Sequence, residues 1–516
     1  MVRHRGRHSR GARSDADEGD VADTTPPTET ASTTGDGASV SGPELGLNRT
    51  TVVPGTMGGG TLAAVLEAAP DPVSMSVSPP ETALPPVSRD IPVTLSPPLS
   101  LSRPPATPLV AEPDRPHRRR WPWVALVLVV AVAVVVGVQL GRPFPAQALQ
   151  RALPVMTPVA GATPAMPWPA TGEAAVAVPQ LGVTVQSGPE AAVPIASLTK
   201  IMTGYLTLRD HPLAPTAQGP MLAMTAADQA EAFEDEEAGA TNVPVQPGEE
   251  LSERQLLDGL LVHSANNFAD ILAQWDAGTV PAFVAKMNVA AAALGMTHTH
   301  YADASGLNPG TAGTAGDELL VTQAAMVIPT FAAVVAQPSV TLPIAGVLTN
   351  YVSSVGTDGI VGVKSGFTQA AMGCLVLAGE RTVAGHRVLV LAAVTGQPGE
   401  DPLHVASGVD EQLLDAVASG VREVPVTADG VRVGDVTRPW SSKTVPVVAS
   451  RAITLLAWPG QEPRLALAMG RLHPGTAQGA RVGSLSASIG HERVDVPVRV
   501  EQSLVGPSVS WRLKRS

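Results

Sequence analysis

Cysteine is almost absent from this chain of 516 residues, and acidic residues outnumber basic ones. The single cysteine, Cys374, cannot form an internal disulfide and leaves no thiolate pair for a zinc site, so we predict that it packs as a small apolar side chain on a strand. With 46 acidic and 34 basic residues, the net charge of −12 excludes the basic footprint of a nucleic-acid-binding protein. An acidic run at 231–237 is interpreted as a solvated loop and not as a metal site. We predict no metal ion, no cofactor and no nucleic-acid partner.

Aromatic residues are also scarce, with 16 in the whole chain and none in residues 1–120. Those 120 residues contain 18 prolines. Such a segment cannot bury enough apolar surface to offset its chain entropy. We therefore predict a disordered arm over 1–120, which is a candidate surface for protein partners.

A long apolar segment follows this arm. Residues 121–141 carry no charged side chain, and about 20 apolar residues suffice to cross the hydrocarbon core as a helix. Five arginines lie in the twenty residues before this segment and two in the twenty after it. The positive-inside rule then predicts a single-pass cell-membrane protein with a cytoplasmic N-terminus and an extracellular remainder. A buried core helix would show a polar face, and a cleaved signal peptide would lie nearer the N-terminus.

The rest of the chain divides by composition and periodicity. Residues 142–170 are rich in proline and alanine and are predicted to be a linker. Residues 171–425 combine helical patterns with three apolar strand patterns, which indicates an α/β (α+β) domain. Residues 426–516 show short strands and turns, and we predict a small all-β domain there.

Three short motifs carry groups suited to nucleophilic catalysis. Ser197 and Lys200 form a Ser-x-x-Lys, whose spacing places both side chains on one face of a helix. A serine hydroxyl needs a base, and a lysine can serve when burial lowers its pKa. Ser264 and Asn266 form a Ser-x-Asn, and Lys364–Ser365–Gly366 lies on an apolar strand pattern. Each motif is weak alone, but together they use two of the chain's five lysines and indicate one catalytic site.

In this order, the motifs resemble those of the low-molecular-mass penicillin-binding D-alanyl-D-alanine carboxypeptidases, serine peptidases that share their fold with class A β-lactamases. The resemblance covers residues 180–420 and includes the segments PIASLTKIMTGYLTL and YADASGLNPGTAGTAGD. It implies a β-lactamase/transpeptidase-like domain, with an antiparallel sheet flanked by helices and a helical subdomain. It also implies removal of the terminal D-alanine from peptidoglycan stem peptides, and inhibition by β-lactams. The pattern VGSLSAS…VDVPVRV is similar to the β-rich C-terminal domain of many members, a second candidate surface for protein partners.

The resemblance assigns the catalytic roles residue by residue. Ser197 is expected to be the acylated nucleophile and Lys200 its general base. Ser264 is expected to relay a proton to the leaving amine. The backbone N–H groups of Ser197 and Phe367 are expected to form the oxyanion hole, which is usually the largest single contribution in acyl transfer.

The substrate-binding roles follow from the same resemblance. Asn266 is expected to bond the peptide backbone of the substrate, and Ser365 to bind its terminal carboxylate. Lys364 is expected to lower the pKa of the base by like-charge repulsion. Gly366 allows the backbone of its strand to approach a ligand closely, and Phe367 follows it.

One departure from the family leaves alternatives open. Some relatives hold the substrate carboxylate with an arginine, whereas residues 397–421 contain neither arginine nor lysine. A non-catalytic penicillin-binding sensor or scaffold therefore remains an alternative. A β-lactamase is another, although the chain lacks the Glu-x-x-Leu-Asn motif of the class A enzymes.

Overall fold

The computed structural model describes residues 120–515 of this mixed α and β chain. The predicted disordered arm lies outside the described residues, except for Arg120.

The helices are α1 Trp121–Gly141, α2 Thr199–Asp210, α3 Ala226–Glu237, α4 Glu253–Leu261, α5 Asn266–Ala277, α6 Val280–Leu294, α7 Ala315–Met326, α8 Pro329–Val335, α9 Pro402–Gly420 and α10 Val509–Lys514. The strands up to residue 400 are β1 Ala148–Arg151, β2 Glu173–Val178, β3 Val183–Ser187, β4 Val193–Pro194, β5 Met221–Ala223, β6 Glu250–Ser252, β7 Ala312–Gly313, β8 Ser339–Leu342, β9 Gly346–Thr349, β10 Ile360–Thr368, β11 Met372–Val383 and β12 His386–Gln397. The remaining strands are β13 Arg422–Thr427, β14 Arg432–Arg438, β15 Ser441–Ala449, β16 Ile453–Ala457, β17 Arg464–Met469, β18 Arg481–Ile489 and β19 Glu492–Val500.

A five-stranded antiparallel sheet in the order β10-β11-β12-β2-β3 organises the first globular region. Its strands are apolar on both faces because both faces are covered. In β11, Val376 faces the core shared with the helices α2 and α7, while Leu377 faces the core shared with α9. Cys374 is fully buried on β11, as predicted. An antiparallel sheet flanked by helices is thus confirmed.

Helix α2 is the centre of the helical part. It contacts α4, α5, α6, α7 and α8, and nine of its residues are buried. Because other elements surround α2 on nearly all sides, most of its side chains are apolar or small. A capping box at Ser252 and Gln255 begins α4.

The second region is rich in strands. Six strands form one sheet in the order β1-β14-β15-β19-β18-β17, and β13 pairs with β16. Two features differ from the sequence interpretation. Strand β1 lies inside the predicted 142–170 linker, where it pairs with β14 at the edge of the sheet, and α10 is a helix within the predicted all-β segment. Both are short and stabilised by distant partners, so local composition carries little signal of them.

Helix α1 is the predicted span. Its 21 residues have a mean hydropathy of 2.8 over the best 18-residue window, and none is buried against the rest of the chain. An α-helix of this length extends about 32 Å, which matches the hydrocarbon thickness of a bilayer. The helix therefore has the length and composition of a membrane span.

Candidate active site

Ser197 lies in a tight turn at the start of the central helix. The 3₁₀ turn Ala196–Leu198 leads directly into α2, and Ala196 has a φ of +47°, in a region that non-glycine residues rarely occupy. On the other side of the turn lies β10, where a Cβ on Gly366 would stand 2.8 Å from the backbone nitrogen of Ser197. The turn thus places the half-buried hydroxyl of Ser197 next to the edge strand β10. The strand can approach the turn this closely only because residue 366 is a glycine.

Lys200 follows Ser197 by one helical turn and is fully buried. Its Nζ lies 2.9 Å from Ser197 Oγ, 2.6 Å from Asn266 Oδ1 and 2.8 Å from the carbonyl oxygen of Ser305. Burial lowers its pKa from 10.5 to about 7, against the opposing pull of nearby carboxylates, of which Asp303 contributes most. The side chain therefore changes protonation state near neutral pH.

The three partners of Lys200 match the hydrogen-bonding capacity of a neutral amine. A neutral amine has two N–H donors and one lone pair. Asn266 Oδ1 and the Ser305 carbonyl can only accept, so they take the two N–H groups. The lone pair is then left for the hydroxyl of Ser197, which is the arrangement that a general base needs.

The Ser-x-Asn motif lies in the connection between α4 and α5. Asn266 is the first residue of α5 and is buried, and its backbone N–H donates to the carbonyl oxygen of Thr241 at 2.9 Å. Ser264, two residues earlier, is buried and has a φ of +65°. The structure thus brings Asn266 to Lys200 and places Ser264 in a strained backbone conformation at the adjoining helix end.

The third motif lies on β10. Lys364 and Ser365 are buried, and Lys364 Nζ donates to the carbonyl oxygen of Ser365 at 2.9 Å. Phe367, two residues further, is 48% exposed. Along the edge of the sheet that faces Ser197, β10 therefore carries two buried polar side chains followed by an exposed aromatic ring.

Both lysines of the candidate site have a lowered pKa. Burial, followed by repulsion from Lys200, lowers the pKa of Lys364 well below its ordinary value. The pKa of Lys200 is lowered by burial. The low pKa of Lys200 thus comes from desolvation. The expected effect of Lys364 on the pKa of the base stays a prediction.

Sequence reasoning assigned no role to the loop that begins at Asp303. One carboxylate oxygen of Asp303 accepts from the Ser305 hydroxyl at 2.9 Å and from the backbone N–H groups of Gly306 and Leu307 at 2.8 Å each. These bonds hold the Ser305 carbonyl towards Lys200. Gly306 has a φ of +86°, and a Cβ there would stand 1.9 Å from the Ala196 carbonyl oxygen. An aspartate shortly before Ser-Gly is the turn signal that could have indicated this loop.

The acidic run is helical and not a loop. It forms most of α3, which begins with a capping box at Thr225 and Asp228. Burial raises the pKa of Glu231 to about 8 and also raises those of Asp235 and Asp270. Within residues 120–515 no group of three histidine, cysteine or acidic side chains is arranged to hold a metal ion.

The comparisons with known proteins agree on one family. Residues 179–397 match a family model described as D-alanyl-D-alanine carboxypeptidase. The chain is 36% identical over 234 residues to the D-alanyl-D-alanine carboxypeptidase DacB2 of Mycobacterium tuberculosis, covering 42% of this chain and 79% of that protein. It is 32% identical over 218 residues to a D-alanyl-D-alanine endopeptidase of Pseudomonas aeruginosa, covering 40% of this chain and 66% of the relative.

Among solved structures, the D-alanyl-D-alanine carboxypeptidase DacD of Francisella tularensis superposes with a TM-score of 0.47 at 20% identity. The match covers 67% of this chain and 96% of that one. Given the identity to the mycobacterial protein and the share of that protein covered, the chain belongs to the D-alanyl-D-alanine carboxypeptidase family and is a serine-type DD-peptidase.

Proposed function

We propose that this protein is a membrane-anchored carboxypeptidase that removes the terminal D-alanine from peptidoglycan stem peptides through an acyl-enzyme on Ser197. The proposal rests mainly on one observation. The only titratable group bonded to the Ser197 hydroxyl within the described residues is Lys200, at 2.9 Å, with a pKa lowered to about 7. Near neutral pH a large share of the enzyme therefore holds a neutral base against its nucleophile.

The acylation step follows from this pair. Ser197 Oγ attacks the carbonyl carbon of the penultimate D-alanine while its proton passes to Lys200 Nζ. The C–N bond then breaks, and the leaving D-alanine amine takes the proton from Lys200 through the Ser264 hydroxyl. Water attacks the resulting ester in the second half-reaction, giving back the serine hydroxyl and releasing the shortened peptide.

The developing oxyanion is proposed to lie between the backbone N–H groups of Ser197 and Phe367. This assignment is supported by the close approach of β10 to the Ser197 turn, which the missing side chain of Gly366 permits. Donors fixed on a helix start and a sheet strand need little reorganisation when charge develops.

Ser365 and Lys364 are proposed to bind the free carboxylate of the substrate. Both are buried beside the Ser197 turn. An arriving carboxylate would favour the charged form of Lys364, whose pKa is low in the free enzyme. The pair would then supply a charge-assisted contact without the arginine that some relatives use.

The apolar helix α1 is proposed to anchor the chain with its catalytic domain outside the cell membrane. Its support is the uncharged 21-residue helix and the excess of arginines on its N-terminal side. Peptidoglycan is assembled on that outer side, so this orientation brings the substrate within reach.

A second candidate is cleavage of cross-links between stem peptides. It is favoured by the name of the P. aeruginosa relative, an endopeptidase. The two activities are separated by incubating the full-length protein in detergent with a D-Ala-D-Ala pentapeptide and with a cross-linked peptide dimer. Release of free D-alanine from the pentapeptide, without conversion of the dimer to monomers, supports the carboxypeptidase.

The control variants are Ser197→Ala, which should abolish D-alanine release, and Ser187→Ala on β3, which should leave it unchanged. Faster conversion of the dimer than of the pentapeptide would replace the proposal by endopeptidase activity. Equal D-alanine release by Ser197→Ala and the wild type would reject the assigned nucleophile.

A further inference from the structure

The outer end of α1 is joined to the last helix of the chain. Arg515 donates through Nη2 to the carbonyl oxygens of Gln139 at 3.2 Å and Arg142 at 2.8 Å, and Gln139 Nε2 donates back to the Arg515 carbonyl at 2.8 Å. The Arg512 guanidinium donates to the Leu140 carbonyl. The last carbonyls of a helix have no partner within it. Here Arg512 of α10 and Arg515, directly after α10, donate to them.

Aromatic rings surround the same junction. The ring of Trp440 lies 6.4 Å from that of Phe144 and 6.0 Å from that of Trp511, edge to face in the second pair. Arg512 Cζ lies 5.3 Å from the centre of the Phe144 ring. Aromatic rings with neighbouring cations are typical of the boundary between hydrocarbon and headgroups.

A groove of about 790 Å³ opens between these elements. It is lined by Arg142, Pro143, Phe144, Pro145, Trp511, Lys514 and Arg515, with no acidic side chain among them. We call it the junction groove. Because α1 is just long enough to cross the hydrocarbon core, the residues directly after Gly141 lie at the depth of the lipid headgroups.

The cations at the junction groove have unused hydrogen-bonding capacity. Within residues 120–515, none of Arg142, Arg512, Lys514 and Arg515 forms an ion pair with an acidic side chain. The Nε atoms of Arg512 and Arg515 are buried without a hydrogen-bond partner in that part of the chain. Buried donors of this kind are costly unless a ligand or water satisfies them.

We propose that the junction groove binds the headgroup phosphate of an anionic phospholipid in the outer leaflet. Phosphate oxygens are acceptors only and match the free guanidinium and ammonium donors in both charge and geometry. A bound lipid would hold α10, and with it the strand-rich region, at the membrane surface. This inference rests on the proposed anchoring by α1.

The test uses the full-length protein. Alkaline carbonate extraction of membranes first shows whether the chain is integral. The detergent-purified protein is then equilibrated with equal amounts of phosphatidylglycerol and phosphatidylcholine, and the lipids that it retains are counted by native mass spectrometry. We expect phosphatidylglycerol to be retained on the order of a hundredfold over phosphatidylcholine, because three cations line the groove and each cation near a bilayer surface contributes about fivefold.

The test variant is Arg512→Gln/Lys514→Gln/Arg515→Gln, which should lose this preference. The matched control, Arg464→Gln/Arg471→Gln/Arg481→Gln, removes the same charge from exposed positions on and beside β17 and β18 and should keep it. Lys514→Glu is a milder variant, since this exposed side chain makes no hydrogen bond within the described residues. It should lower the preference even if the triple variant does not fold.

Equal retention of the two lipids by the wild type, or the same preference in Lys514→Glu, would overturn the inference. Competition by millimolar glycerol phosphate would show a site for free phosphate in place of a lipid, and would also overturn it. Release of the protein by carbonate would reject the anchor itself. Carbonate resistance without lipid preference rejects the junction groove alone.

Discussion

As the proposed general base, Lys200 should set the pH dependence of the site through its protonation state. It must lose a proton before it can accept that of Ser197, and its pKa is lowered to about 7 by burial. The rate of acylation should therefore rise with pH through a midpoint near 7, with the ammonium form inactive below it and the amine active above it. Rates measured from pH 5 to pH 9 with a chromogenic β-lactam give this profile. A rate that still rises at pH 9 without levelling off, as the ordinary lysine pKa of 10.5 would give, would contradict the account.

Lys364 should have little influence on that midpoint. Burial lowers the pKa of Lys200, and Lys364, whose own pKa is also lowered well below its ordinary value, is not among the causes. In Lys364→Met the midpoint should stay within about half a pH unit of the wild type, because one full unit would correspond to about 1.4 kcal/mol of charge repulsion. The same pH series measures it. A shift of a unit or more to higher pH would show that Lys364 is charged and acts on the base.

Ser365 should discriminate between substrates by their C-terminus. Removing its hydroxyl with Ser365→Ala should lower kcat/KM for carboxylate-ending peptides by an amount that corresponds to about 1.5 to 3 kcal/mol, the range for a hydrogen bond to a charged group. C-terminal amides of the same peptides are the control and should lose much less. Equal losses on acid and amide peptides would show that Ser365 does not read the carboxylate.

For single residues, the sequence predicts contacts between side chains better than contacts that involve a backbone group. The Ser-x-x-Lys spacing places Ser197 and Lys200 on one helical face, and the two atoms are 2.9 Å apart. The third partner of Lys200 is the carbonyl of Ser305. A backbone carbonyl leaves no signature in residue type, so only the folded loop reveals it.

Among the elements, the 303–311 loop determines where that carbonyl points. Asp303 holds the loop through bonds to Ser305, Gly306 and Leu307. Asp303→Ala should reduce acylation by about tenfold or more, because the loss of even one bond to a charged acceptor costs about 1.5 to 3 kcal/mol, which corresponds to about 10- to 150-fold. Asp303→Asn keeps one acceptor oxygen and should retain most of the rate. Acylation rates and melting temperatures of both variants are the measurement.

The loss in Asp303→Ala should also change the pH profile, because Lys200 would lose both a fixed acceptor and the carboxylate that raises its pKa. The acidic midpoint should therefore move to lower pH. A uniform loss of rate without such a movement would assign Asp303 to folding alone.

Long apolar elements were predictable and short ones were not. The strands β10, β11 and β12 lie where their apolar runs predicted them, because burial on both faces demands such runs. Strand β1 has four residues and is held by β14, while α10 has six residues and packs on α1. The helix α3 was missed because its charges are typical of a solvated loop, although Thr225 and Asp228 form a capping box.

For the whole molecule, the proposed membrane anchor and its proposed orientation lead to one prediction. Protease added to intact cells should digest the region after residue 141 and spare residues 1–119, because five arginines precede the span and two follow it. Tags at each end of the full-length chain report the outcome on blots, with permeabilised cells as the control. Protection of the C-terminal part would place the catalytic domain inside and separate it from peptidoglycan.

The apolar helix α1 was evident from composition alone, since an uncharged run of this length is typical of a helix that crosses a membrane. The docking of α10 on its C-terminal end was not evident, because Gln139 and Arg515 are 376 residues apart and meet only through tertiary structure. The boundaries between the predicted domains stay predictions.

The central claim is that Ser197 is the nucleophile. It is tested most directly by treating the intact protein with a β-lactam, measuring its mass and mapping the modified peptide. We expect one adduct, on Ser197, that is absent from Ser197→Ala and present in Ser187→Ala. Labelling at another residue, or undiminished labelling of Ser197→Ala, would contradict the account.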